Sequence, residues 1–398
     1  MATDSTSASR ALARPSSSTS ELFGALYARG GVAAEVDDHA WVQAMLDVEA
    51  ALARAGASEG LVPQEAADTI VSACDATSFD AAALGRQAAH SATPVVPLVR
   101  ALREVAGEEA AAYVHHGATS QDVLDTAAML VAKRALLPLL ADAAGAADAA
   151  AGLADAHRDT VVVGRTLLQQ ALPTSFGLKA AGWLMGIEDA LAGLAAARDT
   201  VLAVQMGGPV GHRDPAVGRR VAVELGLVEP VLAWHTNRVR PVALAAALGA
   251  LVGSLAKVAH DVTLLAQGEV GEAREGGGAD RGGSSAMAHK RNPVAAVSIT
   301  ACAARVPGLV TTMLAGMAHE HERAAGAWQA EWGTQTELLR LTGSASAWAR
   351  ELLEQLEVDP ERMRAHVAQL AEEGVEGDLG ASSELIDRAL AAHRAAPR

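Results

Sequence analysis

The sequence predicts an all-α protein: a central bundle of long helices, a smaller N-terminal helical unit and a shortened C-terminal one. Three observations predict it. Alanine and leucine dominate, and aromatic residues are only 3% of the 398 positions. Alternating runs rich in Val, Ile and Thr are scarce, so summed propensities favour helix over sheet. Leu244, Leu248, Leu251, Leu255, Val258, Val262 and Leu265 recur at alternating steps of four and three. That is a heptad seam, one apolar stripe packed against other long helices.

A chain of this length exceeds one usual domain, so two or three packed units are expected. Residues 1–20 are rich in Ser, Ala and Thr with Arg10 and Arg14. They read as a disordered tail, with a transit peptide as the alternative. Residues 21–112 form the N-terminal helical domain, 113–345 the long-helix bundle and 346–398 a short C-terminal helical region. Breaks fall near Ala92–Pro97, Val114–Ser120, Gly207–Pro215, Glu275–Pro293 and Gly374–Ala381, and the pattern between them is helical. Ala135–Asp159 and Phe176–Val204 have similar length and Ala/Leu content, and their small residues let helices approach closely. The third long stretch, Pro241–Glu275, starts with a proline, which suits a first helical turn because its missing N–H is not needed there.

A formal charge of −15 argues against nucleic acid or an anionic membrane as partner. An anionic small substrate needs only a local positive pocket. No window approaches 18 uninterrupted apolar residues. Cys74 and Cys302 are the only cysteines. Two thiols make neither a disulfide framework nor a metal site and suit a reducing cytoplasm.

Function is decided by the breaks. Residues 275–293 read Glu-Gly-Gly-Gly-Ala-Asp-Arg-Gly-Gly-Ser-Ser-Ala-Met-Ala-His-Lys-Arg-Asn-Pro. Five glycines make a helix costly here, at up to ~1 kcal/mol each relative to alanine. The loop ends in Ser284, Ser285, His289, Lys290 and Asn292, a cluster too dense for a linker. Paired hydroxyls beside a cation and an amide can bind a carboxylate and present an activated oxygen. In His115-His-Gly-Ala-Thr-Ser-Gln-Asp122, Thr119, Ser120 and Asp122 mark a helix start, and a helix N-terminus is also an anion site. Gly164-Arg-Thr-Leu-Leu-Gln-Gln170 carries paired amides that, by residue type alone, are more often surface groups than ligands. Charged groups lie near tryptophan in Trp234-His-Thr-Asn-Arg238 and in Glu320–Trp332, where His321 and Glu322 could equally form an exposed helix face.

These segments resemble the aspartase/fumarase superfamily over roughly residues 21–365. Gly283–Pro293 is similar to its signature loop, Gly-Ser-Ser-x-Met-Pro-x-Lys-x-Asn-Pro, without a gap and with Ala288 in place of the proline. The resemblance implies that Ser284 and Ser285 are the catalytic pair, Ser284 the base, and that Lys290 and Asn292 hold a substrate carboxylate. Thr119 and Ser120 align with a Thr-Ser pair that binds a second one. Leu167 stands where many members have a histidine that serves a leaving group. Gln205–Gly208, Gly271-Glu272, Leu338–Gly343 and the tryptophan segments are similar to the lactonizing branch, the carboxymuconate cycloisomerases. Carried over as substrate contacts are also His115, Gln121, Gln169, Gln170, His235, Arg238 and Arg323. His212 and Val239 depart from the pattern, and the chain ends soon after Val358–Arg362 where members continue into a longer helical domain.

The resemblance implies neither metal nor organic cofactor, so the chemistry would rest on side chains. Removing a proton beside a carboxylate leaves a dianionic enolate-like group, and donors aimed at it supply the stabilisation. A serine base needs its alkoxide stabilised, with Lys290, His289 and loop N–H groups as the source. The expected partners are a small polycarboxylate substrate and other copies of the chain in a homotetramer. Two alternatives stand: a lyase releasing fumarate from a substituted succinate of the adenylosuccinate, argininosuccinate or nitrosuccinate type, and a non-catalytic homologue.

Overall fold

The computed structural model describes residues 21–278, 281–287, 290–375 and 377–396. The expected tail, Ala288 and His289 lie outside the described residues. Short turns α1 (Glu21–Gly24) and α2 (Val32–Glu35) lead into α3 (Asp38–Ser58), α4 (Gln64–Ala73), α5 (Ala81–Ser91), α6 (Val95–Ala106) and the short α7 (Glu108–Ala111). The long elements follow: α8 (Ser120–Ala156), α9 (Phe176–Val201), α11 (Val239–Leu265), α12 (Val294–Ala315) and α13 (Ala327–Glu354). Between them lie β1 (Val161–Thr166), β2 (Gln169–Ser175), α10 (Pro215–Leu225) and β3 (Ala273–Glu275). The chain closes with β4 (Leu356–Val358), α14 (Pro360–Glu372) and α15 (Ser382–Ala395).

Local chemistry sets the helix starts. Asp37, Asp80, Asp214 and Asp359 each accept a backbone N–H at the head of a helix, and Pro215 and Pro360 follow two of them in first-turn positions. Ser175 does the same for α9. The five long helices pack in a ring, α8 on α9, α9 on α11, α11 on α12, α12 on α13 and α13 on α8. The seam of α11 is its inner face: Leu248, Leu251, Leu255, Val258 and Val262 have no exposure, and Leu244 and Leu265 almost none. Seven buried aliphatic side chains contribute on the order of 10–20 kcal/mol before entropy is subtracted, far more than any propensity term. Cys302 is buried and Cys74 half-buried; burial pushes their thiols up to about 11 and about 12, so both are packing groups.

The structure departs from the sequence reading in three places. Helix α11 ends at Leu265, and a turn and strand β3 occupy the rest of the expected stretch to Glu275. Residues 161–175 form an antiparallel hairpin, with Val161 opposite Ser175 and Thr166 opposite Gln169. Its turn puts Leu167 and Leu168 at φ 51 and 64, the mirror-image geometry that matches strand twist. Gly164 sits at the register shift, where an added Cβ would lie 2.7 Å from the Leu172 carbonyl oxygen. His321 and Glu322 lie in a turn before α13 rather than on a helix face, with His321 at φ 41.

Replacing a seam leucine isolates the packing term. Leu251→Ala should cost about 2–5 kcal/mol, because the ring of helices cannot collapse into the space left. Leu264→Ala, on the same helix but 39% exposed, should stay within about 1 kcal/mol. Urea unfolding of both variants measures the contrast.

Candidate active site

The head of α8 is built around one carboxylate. Asp122 is fully buried and accepts from the Thr119 N–H at 3.0 Å, the Gly207 N–H at 2.9 Å and the Gly208 N–H at 2.8 Å. It is also bonded to Gln205 Nε2 at 3.1 Å and His235 Nε2 at 2.7 Å. Burial alone would raise its pKa, but the bonds from His235, Gly207 and Gln205 outweigh that and hold it below the usual carboxylate range. One side chain thus ties the helix start to the glycine turn at 207–208 and to His235. Thr119 and Ser120 are left half-buried above it, at the positive end of a 37-residue helix.

Beneath lies a second buried cluster. Arg238 reaches Asp125 through Nη1 at 2.7 Å and Nη2 at 3.1 Å, and Glu331 through Nε at 3.0 Å and Nη2 at 2.5 Å. Its guanidinium stacks over Trp234 at 4.9 Å, and Trp328 Nε1 donates to Asp125 at 2.9 Å. Burial opposes the charge on Arg238, but Asp125 and Glu331 more than compensate and raise its pKa. Glu331 is raised, chiefly by burial, with Arg238 pulling the other way. Gln121 gives Nε2 to Asp125 Oδ2 and to the His235 carbonyl. Gln121, His235 and Arg238, expected as substrate contacts, therefore form the floor of the site, their donors spent on protein groups.

The walls are positive. Arg323 donates through Nη2 to the Gly208 and Pro209 carbonyls at 2.8 and 2.9 Å, and the Arg213 guanidinium packs against Gly117. Burial lowers both pKa values, and Asp122 acts on both from a distance. Neither has an ion-pair partner among the described residues, so two half-buried guanidiniums bracket Gly208 beside Thr119. Arg213 was not anticipated: it follows His212 in a turn whose spacing carries no recognisable motif. His115 has its Nδ1 2.6 Å from Glu49 Oε1, and Glu49 also acts on Arg213 from a distance.

The glycine-rich loop closes on itself. Asn292 donates to the Gly282 carbonyl through its backbone N–H at 2.8 Å and through Nδ2 at 3.0 Å. Gly282 has φ +68, and a Cβ there would meet the Asn292 carbonyl oxygen at 2.3 Å, so no other residue fits. Within the loop, Ser284 Oγ accepts from the Ala286 and Met287 N–H groups at 3.3 and 3.2 Å. Two backbone donors on one hydroxyl oxygen are the arrangement that stabilises an alkoxide. Ser285 and Lys290 are exposed. Asn292, expected as a carboxylate anchor, braces the neck of the loop with its side-chain N–H.

Gln169 and Gln170 are exposed on β2, next to a hairpin tip where Leu167 is 96% and Leu168 73% exposed. The hairpin is anchored by Arg165, which grips Glu272 through two 2.8 Å bonds, while His366 bonds the same carboxylate at 2.7 Å.

These pieces sit at two ends of the bundle. Trp328, at the start of α13, bonds Asp125 below the Thr119–Ser120 pair, whereas Glu351, near its end, pairs with Arg281 of the glycine-rich loop. At ~1.5 Å per residue the two ends are about 35 Å apart. The hairpin shares the loop's end, through Glu272. One subunit therefore holds the two groups of residues at opposite ends of the bundle.

An all-α ring with a serine-bearing glycine loop at one end and a Thr-Ser helix head at the other defines a lyase scaffold. A family model described as "Lyase" matches residues 16–308. The chain belongs to the aspartase/fumarase superfamily. It is 44% identical over 361 residues to a 3-carboxy-cis,cis-muconate cycloisomerase of Bradyrhizobium diazoefficiens, covering 88% of this chain and 80% of that protein. It is 45% identical over 356 residues to a nitrosuccinate lyase of Streptomyces davaonensis, covering 84% and 74%. Among solved structures, the 3-carboxy-cis,cis-muconate lactonizing enzyme of Pseudomonas putida superposes with a TM-score of 0.88 at 36% identity, covering 94% of this chain and 99% of that one.

The Asp122 cluster makes a pH-dependent prediction. A carboxylate held below its ordinary value of about 3.8 stabilises the fold fully above that pH, and the contribution is lost as pH falls through the lower folded value. Asp122→Asn should therefore lose about 2–4 kcal/mol near neutrality. The gap to wild type should close only in the acid limb, below about pH 3.8, in unfolding measured across pH.

Proposed function

We propose that this chain is a cycloisomerase that closes 3-carboxy-cis,cis-muconate to 4-carboxymuconolactone, reversibly, by adding one carboxylate of the substrate across its own double bond. The pathway is then the protocatechuate branch of aromatic-compound breakdown. The observation that carries the reading is the apolar hairpin tip. An amine leaving group must be protonated as it departs, and Leu167 and Leu168 offer no proton. An internal carboxylate nucleophile requires none. In the closing direction the carboxylate attacks, charge develops on the carboxylate beside the neighbouring carbon, and Ser284 delivers its hydroxyl proton to that carbon. The serine alkoxide that results is received by the Ala286 and Met287 N–H groups. Lys290 and the Thr119–Ser120 helix head hold substrate carboxylates, flanked by Arg323. The reading uses side chains and backbone N–H groups, without a metal or an organic cofactor.

Because the halves lie about 35 Å apart, the working site needs loop and helix head from different copies, and we propose a homotetramer. The surface of α12 supports this. Its sequence has a mean hydropathy of 1.6 over an 18-residue window, only 33% of which is buried, and Val297 and Leu314 are more than half exposed. A second copy covers such a face.

Elimination of nitrite from nitrosuccinate is the second reading, favoured by the 45% identity to the Streptomyces davaonensis enzyme. Nitrite is a weak base and leaves without a proton, so the apolar tip fits it too. Ultraviolet assays with 3-carboxymuconate and with nitrosuccinate separate the two: loss of diene absorbance supports lactonization, and nitrite release with no diene loss overturns it.

Ser284→Ala should lower turnover by roughly a thousandfold, about 4 kcal/mol in barrier, with substrate binding retained. A dead Ser285→Ala beside an active Ser284→Ala would move the base to the second serine. Lys290→Met should raise KM and lower kcat together, because the carboxylate gains negative charge in the transition state, and Lys290→Arg should recover part of both. Unchanged constants for Lys290→Met remove it as an anchor. Site sharing has its own check. Ser284→Ala and Thr119→Val subunits, each inactive alone, should regain activity when dissociated and reassembled together; a mixture that stays inactive speaks against sites built from several copies.

A further inference from the structure

A cavity of about 580 Å³ opens beside the head of α8, between α6, α7 and the turn at 114–120. Ser120 and His115 line it on one side, and Val96, Val99, Arg100 and Arg103 of α6 on another. Glu104 and Glu108 are its acidic residues. His115 is held there at a cost. It has φ +65, in the left-handed region that non-glycine residues avoid, and Arg103 Nη2 buttresses the turn by donating to the preceding carbonyl, Val114, at 3.3 Å.

The strained turn delivers the imidazole to a buried carboxylate. His115 Nδ1 lies 2.6 Å from Glu49 Oε1, and the Glu49 side chain, projecting from α3, has no exposure at all. Its other oxygen, Oε2, is buried without a hydrogen-bond partner. A fold does not bury an acid that poorly satisfied merely to pack a helix, since Gln or Leu would be cheaper. A carboxylate only accepts, so Nδ1 carries the hydrogen, and Nε2 is the ring atom left for the cavity. The His115 side chain keeps 15% of its surface open there.

We infer that Glu49 is a positioning residue for the reaction: it fixes the ring orientation and tautomer of His115, so that Nε2 meets a carboxylate-bearing ligand in the cavity shared with Ser120. This deepens the proposed function and rests on it for the class of substrate. Glu49 itself touches no ligand and acts only through the imidazole.

Coupling between the two residues tests the assignment. Glu49→Gln, which keeps the shape, should lower kcat/KM by roughly tenfold to a hundredfold, the scale seen when a ring-orienting carboxylate is lost, while the thermal midpoint moves little. His115→Asn should cost at least as much, and the double variant no more than His115→Asn alone. Multiplying effects, or a lower midpoint with kcat/KM unchanged, overturn the assignment and leave Glu49 a structural acid. Calorimetry with tricarballylate, an unreactive tricarboxylate, gives the arm that needs no turnover. Binding should weaken in Glu49→Gln and His115→Asn alike, and no further in the double variant. Equal dissociation constants for wild type and Glu49→Gln, or no binding by wild type, remove the carboxylate-facing role. Wild type that binds tricarballylate with this pattern yet converts no 3-carboxymuconate overturns the proposed reaction and keeps the Glu49–His115 pair.

Discussion

Asp122 is the group on which the site half at the head of α8 depends. Five donors converge on it, three of them backbone N–H groups from Thr119, Gly207 and Gly208. A buried carboxylate with a missing donor would cost several kcal/mol, so each bond to it constrains the segment that supplies it. The glycine turn must approach without side chains, which is why Gly207 has Ala233 and His235 packed where a Cβ would be. Gln205 must lie flat enough to give Nε2 to Asp122 while its Oε1 accepts the Trp234 N–H at 2.6 Å. Thr126, one turn along α8, closes the set by exchanging two 2.9 Å bonds with the Gln205 backbone. The Thr119–Ser120 pair owes its position to this buried web.

The second constraint is the stiffness of the bundle. Helices of 22 to 37 residues cannot bend to bring their ends together, so a single copy displays the Thr-Ser head and the serine loop about 35 Å apart. The ring stabilises the scaffold through apolar burial and leaves the polar chemistry to its two rims. The charges Arg238, Asp125 and Glu331, which do enter the bundle, come as a paired set, because an unpaired charge there would be prohibitive. Such a set specifies one helix register, since a slip along α13 would strand Glu331.

The seam and the glycine loop were legible in the sequence because each rests on spacing within one segment. Leu244 to Leu265 is a periodicity, and Glu275–Pro293 carries five glycines that make a helix costly. The hairpin was not legible. Its turn uses Leu167 and Leu168 at positive φ where Asn-Gly would have announced it, and Val161-Val-Val163 was the only strand signal. Roles that depend on partners far along the chain were equally hidden. Nothing near Arg238 says that Glu331 waits 93 residues away, nor does anything near His115 point to Glu49, 66 residues earlier. The resemblance gave His235 and Arg238 as substrate contacts; their bonds to Asp122, Asp125 and Glu331 were not legible from it.

Asn292 sets the shape of the serine-bearing loop. Its two bonds to the Gly282 carbonyl pin the ends of the loop, and Gly282 is the one residue that admits that crossing. With the neck fixed, the turn at 284–287 holds its shape, and the Ala286 and Met287 N–H groups stay aimed at Ser284 Oγ. Preorganised donors stabilise a charge without reorganising when it forms, which is what a serine must have to shuttle a proton near neutral pH. The overall charge of −15 does not oppose an anionic substrate at such a place. Exposed charges are screened beyond about 10 Å at ordinary salt, and in the proposed assembly the substrate would meet Arg213, Arg323 and the amide end of α8 from one copy and Lys290 from another. On the proposed reading, the field that would select a polycarboxylate is assembled only where two rims meet, so the assembly that would complete the site would also make it positive.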